Sequence, residues 1–320
     1  MNKYLFSLII MLFVVGQNYG QQEPAYSFYH QYEGIYNPSA VPNEYIHYNH
    51  HIIIGATANT QWTNLPSAPK TQFLQAQYIT DNDNTFNLLM GGYITHDKAG
   101  PISTTGAFYR LAGIMSKYGP KLGGISAGLQ LGAVQYTINT SSLHAKYPTD
   151  ILTSSNTQTT RPQLSLGVSY YNRFQEGIFR NSNLNTGVSI THLGFNEITF
   201  KDEVSEFKFQ ANMHYYAYAK LRKEFYDTQA FELSSWIKYA KNLPTNIDVH
   251  IVFDINDIFS IELGGNSAGL AHGGIGINLF DFWGAENNLM RFSYGFNPSF
   301  LKAGRAFGNS HEININYSFQ

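Results

Sequence analysis

The sequence predicts an all-β chain: a single antiparallel transmembrane β-barrel of about 14 strands, of the outer-membrane type. Three observations carry this expectation. Short segments with apolar residues at every second position recur along the chain, giving each strand one apolar and one polar face. Charged residues make up only 13%, and the remaining polarity comes from Asn, Gln, Ser and Thr beside 15% aromatics. That balance suits strands with one face towards lipid and the other towards a polar lumen. After the N-terminal run, no segment offers ~20 consecutive apolar residues, so helices are not the means of crossing a membrane.

Lys3 precedes a compact apolar run, Tyr4 to Val15, and residues 16–20 turn small and polar. This pattern is that of a secretory signal peptide, residues 1–20, too short to span roughly 30 Å of hydrocarbon. Residues 21–43 form a leader in which Pro24, Pro38 and Pro42 alternate with Tyr26, Phe28, Tyr29, Tyr32 and Tyr36. Proline interrupts strand ladders and biases its neighbour towards extended backbone. The leader is expected on the periplasmic side, with its aromatics at the mouth of the lumen, and the barrel over residues 44–320.

The first extended segment is Tyr45–Ala58, with Ile46, Tyr48, Ile52 and Ile54 in step. A proline-containing loop, Asn59–Lys70, separates it from Thr71–Ile79. Thr85–Thr95, Ser103–Met115 and Leu122–Ile138 follow, joined through Asp81–Asn84, His96–Pro101 and Lys117–Lys121. In the last of these strands Leu129, Leu131 and Ala133 lie on one face and Gly124, Gly128 and Gly132 on the other. Regularly spaced strand glycines mark bends or close backbone approach, and on a barrel wall they allow tilt and curvature.

Asn139–Arg161 is the longest expected loop. Strands resume at Leu164–Tyr171, Leu184–Ile190 and Phe207–Leu221, with a charged loop over Phe195–Glu206. Phe231–Tyr239, Asn246–Phe253, Phe259–Gly264, Gly273–Phe280 and Leu289–Phe296 complete the run before Ser310–Gln320. In that last segment Ile313, Ile315, Tyr317 and Phe319 alternate with Glu312, Asn314, Asn316 and Ser318. It is the natural strand to meet the first and close a ring, because an open edge in hydrocarbon leaves backbone groups unpaired at several kcal/mol each. Aromatics expected near strand ends, as interfacial girdles, are Trp62, Tyr93, Tyr109, Tyr118, Tyr136, Tyr171, Trp236, Tyr239, Trp283, Tyr294 and Tyr317.

The net charge of -2 gives no basic surface for nucleic acid, and the absence of cysteine excludes thiolate chemistry. The glycines at 264, 265, 269, 273, 274 and 276 do not follow the order of a phosphate cradle. His47, His50 and His51 come nearest to a metal cluster, but on one strand they cannot all share a face. Asp248, Asp254 and Asp257 are expected as lumen-facing or turn carboxylates rather than a hydrolytic pair. Lys208, Lys220 and Arg291 are expected in the lumen or near a rim, since a lipid-facing cation costs roughly 2–4 kcal/mol at the midplane. No catalytic, cofactor-binding or metal site is assigned, and the chain reads as non-enzymatic.

Several of these stretches together resemble the PorP/SprF family of outer-membrane proteins of the type IX secretion and gliding system. The likeness lies in Ser27, Tyr29, Asn37 and Pro38, with Ser39 before Ala40; in Gln61, Trp62, Pro69, Lys70 and Thr71; in Gly100–Pro101; and in the closing strand. The resemblance implies a non-enzymatic barrel in the outer-membrane lipid. Its implied partners are periplasmic lipoprotein components of the secretion machine or a secreted surface protein. Trp62 and Lys70 would be structural or docking positions. Two other functions stay open on sequence: a passive channel for small solutes, and a secreted soluble β-protein binding carbohydrate.

Overall fold

The computed structural model describes residues 31–80, 85–116, 122–139, 157–194, 197–201, 206–226, 229–256, 258–281, 287–298 and 307–320. Two short helices come first, α1 (Glu33–Tyr36) and α2 (Asn43–Tyr48). Seven strands follow: β1 (Ile52–Thr60), β2 (Lys70–Ile79), β3 (Phe86–Ala99), β4 (Ile102–Ser116), β5 (Gly123–Ile138), β6 (Thr157–Phe174) and β7 (Ser182–Leu193). A hairpin of β8 (Glu197–Lys201) and β9 (Glu206–Gln210) precedes β10 (His214–Tyr226), β11 (Gln229–Ala240) and β12 (Asn246–Ile255). The last four are β13 (Phe259–Asn266), β14 (Ala271–Phe280), β15 (Asn288–Asn297) and β16 (Ser310–Phe319). All but β8 and β9 join in one closed antiparallel barrel of 14 strands, each paired with its neighbour in sequence. β1 closes on β16, with Ile52 opposite Phe319 and Thr60 opposite His311. Closure removes the edge that hydrocarbon would leave unpaired.

The alternation works inside out. On β16 Glu312, Asn314, Asn316 and Ser318 are buried, whereas Ile313 and Ile315 are exposed. The same parity puts Leu74, Ile94, Leu131, Val168, Val188 and Ile261 on the outside of their strands. A period of two gives every strand both faces, and lipid takes the apolar one. Strand length is uneven round the ring. β12 to β15 have 10, 8, 10 and 10 residues, close to what crosses a bilayer, but β3 to β6 have 14, 15, 16 and 18. The long strands form a wall that outgrows the membrane on one side.

β1 begins and β16 finishes at the same end of the barrel. At the other end β1 gives way to β2, β5 to β6, β7 to β10 and β15 to β16, the strand pairs joined by the long connections. From the first end, residues 31–51 turn back into the lumen: Tyr32, Tyr36, Val41, Tyr45 and Ile46 are each buried.

Several expected elements take a different form. Residues 96–99, expected in a loop, extend β3, and residues 157–161, expected in the longest loop, begin β6, because ladder pairing with the neighbouring strand continues through them. Tyr45–Ala58 is not one strand, because residues 43–48 are helix α2 and the barrel begins only at Ile52. Tyr45 and Ile46 instead pack with Ile79, Leu89, Ile114 and Tyr171 inside the ring. Asn49 reverses the chain at φ 61°, a left-handed position that Asn tolerates. The loop expected at Phe195–Glu206 contains β8. Ile198 and Phe200, two residues apart, share a strand face and pack on Ile138. The stretch expected as one strand, Phe207–Leu221, is accordingly divided between β9 and β10. Asp81–Asn84 and Lys117–Lys121 lie outside the described residues.

Candidate functional site: a lumen filled by the N-terminal segment

Three kinds of contact hold residues 31–51, and each follows from what the local wall offers. Against β5, β6 and β7 the contact is steric. A Cβ on Gly128 would lie 2.4 Å from the Pro38 carbonyl oxygen, and one on Gly167 would lie 2.0 Å from Asn37 Oδ1. Gly187 is as tight, 2.7 Å from Asn37 Nδ2. The wall here is reduced to glycine so that the segment's backbone can lie directly on it. Short polar groups complete the seat. Asn37 Nδ2 donates to Ser169 Oγ at 3.2 Å, Asn37 Oδ1 accepts from the Ser39 amide at 2.9 Å, and Ser189 Oγ donates to the Tyr36 carbonyl at 2.6 Å. Arg110 on β4 reaches the same turn, donating from Nε to the Pro38 carbonyl at 2.7 Å and from Nη2 to that of Ala40.

Against β10 to β16 the contact is ionic. Lys220 Nζ meets Glu33 Oε1 at 2.5 Å and Asn43 Oδ1 at 2.8 Å, and Asn316 donates to Glu44 at 3.1 Å. Further pairs line this wall: Arg222 with Asp254 at 2.6 Å, Lys238 with Asp248 at 2.6 Å, and Asn59 donating to Glu312 at 2.8 Å. Buried charges persist only where such partners compensate their lost hydration.

Between these walls stands an aromatic tier. Tyr32 packs on Phe73 at 4.9 Å, and Phe73, Tyr93 and Phe108 continue across neighbouring strands. Tyr36 meets Tyr216 and Trp236, and Trp236 stacks on Tyr218 at 4.6 Å. Such ring pairs add about 0.5–1.5 kcal/mol beyond the area they bury.

The three early histidines form no single cluster. His47 Nδ1 lies 3.5 Å from Glu224, His50 Nδ1 pairs with Ser318 Oγ at 2.8 Å, and His51 Nδ1 donates to the Ile79 carbonyl at 2.9 Å. Burial lowers His50 to about 4, with His51 adding a smaller like-charge push, and burial also lowers His47. Among the described residues, no group of three His, Asp or Glu side chains is arranged to hold a metal. Asp248 and Asp254 are buried in the lumen as ion-pair partners of Lys238 and Arg222, and Asp257 lies outside the described residues. Lys220 and Arg291 face inward, Arg291 donating to Asn278 at 2.7 Å. Lys208 sits on the hairpin, 3.1 Å from Glu197.

Of the expected girdle, Tyr109, Tyr239 and Tyr294 are exposed on the outside, and Tyr317 is half-buried there. Tyr93, Tyr136, Tyr171 and Trp236 instead point inward. Strand parity decides this: Trp236 is in step with Glu232 and Ser234, not with Leu233 and Ile237. Tyr118 and Trp283 lie outside the described residues. Trp62, at φ 54°, is tied to the β15–β16 connection through its amide on Ser310 Oγ and its ring beside Phe307. Lys70 is exposed beside its β3 partner Lys98. Arg110 and Gln130 were not singled out from sequence; a lone polar residue in mid-strand, in step with serines and glycines, is the signal that marks both as lumen residues.

A closed antiparallel ring with a lipid-facing apolar band and a polar, internally filled lumen defines an outer-membrane β-barrel. The crystal structure of the Pseudomonas putida toluene transporter TodX has this fold: TM-score 0.50 at 8% identity, over 89% of this chain and 92% of that one. The translocator domain of autotransporter NalP from Neisseria meningitidis aligns with TM-score 0.44 at 11% identity, over 86% and 90%. A Pseudomonas aeruginosa FadL homologue gives 0.49 at 8%, over 84% and 90%. No curated protein matches in sequence. The family described as type IX secretion system membrane protein PorP/SprF matches residues 18–317, and the chain belongs to it. It is accordingly a non-enzymatic outer-membrane component linked to type IX secretion.

Proposed function

We propose that this barrel is a closed scaffold that docks proteins of the type IX secretion machine, or a secreted surface protein, on its outer surfaces. The observation that carries this reading is the lumen filled by the chain's own residues 31–51. A ring occupied in this way has its walls and rims left for partners. The tall wall of β3 to β6 is the favoured place. Above the apolar band its outward positions are polar: His96, Lys98, Thr105, Gln135, Gln158 and Thr160. We place the long-connection end, and this wall, on the cell exterior, and the leader with the short turns on the periplasmic side.

Photo-cross-linkers at positions 135 and 158 are expected to capture a secretion component or exported protein from intact envelopes. A cross-linker at Val249, on the short lipid-facing wall, is expected to capture none. Equal yields from all three positions, or none from any, would count against the reading. The rival passive channel requires steady conductance in planar bilayers, which the filled lumen is expected to deny.

A further inference from the structure

Between the filled part of the lumen and the long-connection end lies a cavity of about 130 Å³. Ile35 and Tyr36 of the N-terminal segment line it together with Tyr93, Phe108 and Tyr136 of the tall wall. The lining is mixed rather than greasy. Gln130, Gln163, Thr95, Thr104, Ser165 and Thr191 contribute amides and hydroxyls.

Two of these polar groups are the decisive ones. Gln130 is 2% exposed and Thr191 is 4% exposed. Gln130 Nε2 donates to the Tyr93 hydroxyl at 2.8 Å, while its carbonyl Oε1, an acceptor, has no partner among the described residues. Thr191 Oγ1 likewise has none. A buried acceptor without a donor costs about 1–3 kcal/mol, so the pair calls for a molecule that brings hydroxyls. An apolar ring would leave both unsatisfied. The local backbone adds to the site: the register between β6 and β7 shifts at Leu164/Leu166, and His192 at φ 62° turns to the cavity within 3.3 Å of Gln163.

We infer that this cavity is a binding site for one neutral sugar ring, held by its C–H face on the aromatic lining and by its hydroxyls on Gln130 and Thr191. A pyranose brings a C–H face for the aromatic lining and a ring of donors and acceptors for the polar groups. This site is independent of the docking proposed above, since it uses inward positions of the tall wall and docking uses outward ones.

The test uses the full chain purified in detergent, with methyl β-glucopyranoside, methyl β-galactopyranoside, methyl α-mannopyranoside and N-acetylglucosamine as probes and toluene as the apolar comparison. Saturation-transfer NMR is expected to show saturable binding of at least one glycoside. Gln130→Leu is expected to weaken it about ten-fold or more, as the loss of one buried hydrogen bond with its desolvated partner implies. Val134→Phe, which fills the cavity from β5, is expected to abolish it, and Leu131→Ala, on the outward face, to leave it unchanged. Heat-modifiable migration on gels checks that each variant still closes its barrel; should Val134→Phe fail that check, Gln130→Leu decides alone. The inference is overturned if no glycoside binds, if toluene binds in their place, or if Gln130→Leu binds as the native chain does.

Discussion

The two sides of the lumen hold the same short segment by opposite means. On β5 to β7 the wall is stripped of side chains, and Asn37–Pro38 lies against Gly128, Gly167 and Gly187. On β10 to β16 the wall extends long charged side chains, and Lys220 reaches inward to Glu33. The segment therefore leans on one side of the ring, and ions bridge the wider gap on the other. The contrast shows that a barrel of this size is filled by placing a backbone off-centre, not by enlarging inward side chains evenly. Steric seats fix position because a Cβ has nowhere to go. Ionic seats fix it because an unpaired buried charge is expensive.

The largest expected effect comes from breaking the ionic side. Lys220→Met leaves the Glu33 carboxylate in a buried site without its cation, and such removals cost about 3–5 kcal/mol. The segment is expected to leave its seat. Residues 31–51 then become open to added protease, and conductance appears in planar bilayers. The double variant Glu33→Gln with Lys220→Met removes both charges and is expected to recover most of the protection. If the single variant stays as protected as the native chain, the pair does not hold the segment.

Next comes the steric side. Gly128→Val places a branched side chain where the Pro38 carbonyl lies, and overpacking of this kind costs about 1–3 kcal/mol. Protease sensitivity and conductance are expected again, to a smaller extent, and an additional loss in Asn37→Ala should be less than additive because both act on one contact. Full additivity would mean that Asn37 and Gly128 act independently, and the idea of one shared seat would fail.

Acid is expected to act on the segment through its histidines. His50 titrates at about 4 in the folded chain because it is buried, and its ordinary value is near 6.5. The released segment therefore binds the proton first. Stability from the neutral imidazole is fully present above about pH 6.5 and is lost as the pH falls through that value towards 4. His47, lowered for the same reason, adds in the same direction. Hydrogen exchange over residues 43–51, divided by the intrinsic amide rate at each pH, is expected to rise between pH 7.5 and 5, and His50→Gln should flatten the rise.

Much of this architecture was legible because a period of two leaves little freedom. Ile313, Ile315 and Tyr317 face outward as their spacing requires, and β16 meets β1 as a chain with no free edge must arrange. Ion partners on the lumen side were legible in part, since Lys220 and Arg291 have no tolerable place in lipid. What sequence concealed depends on contacts between distant segments. Ile46 and Tyr48 lie in step with Ile52 and imitate a strand, yet they fold as helix because the lumen gives them a core to pack against. Short apolar runs do not distinguish the two states. Tyr93 and Trp236 look like girdle aromatics by type, and only their step with Asn87 or Ser234 betrays them. The cavity beside Gln130 was invisible, since it exists only where residues 35 and 36 stop short of the long-connection end.

The smallest expected effect separates contact from curvature. From sequence a strand glycine stands for close backbone approach or for tilt and bending, with nothing to say which glycine serves which. The lumen seat separates them. Gly273 on β14 shares the outward face of Ile275 and Ile277, and a Cβ there would come no nearer than 3.5 Å, to Leu263. Gly273→Ala is therefore expected to change stability by no more than about 0.5 kcal/mol, with a gain as plausible on entropy grounds as a loss. It should leave protease protection of residues 31–51 and bilayer conductance as they are. If Gly273→Ala disturbs the barrel as much as Gly128→Val does, glycine serves wall shape throughout. If only the lumen position responds, the glycines of β5 to β7 exist for the backbone that lies on them.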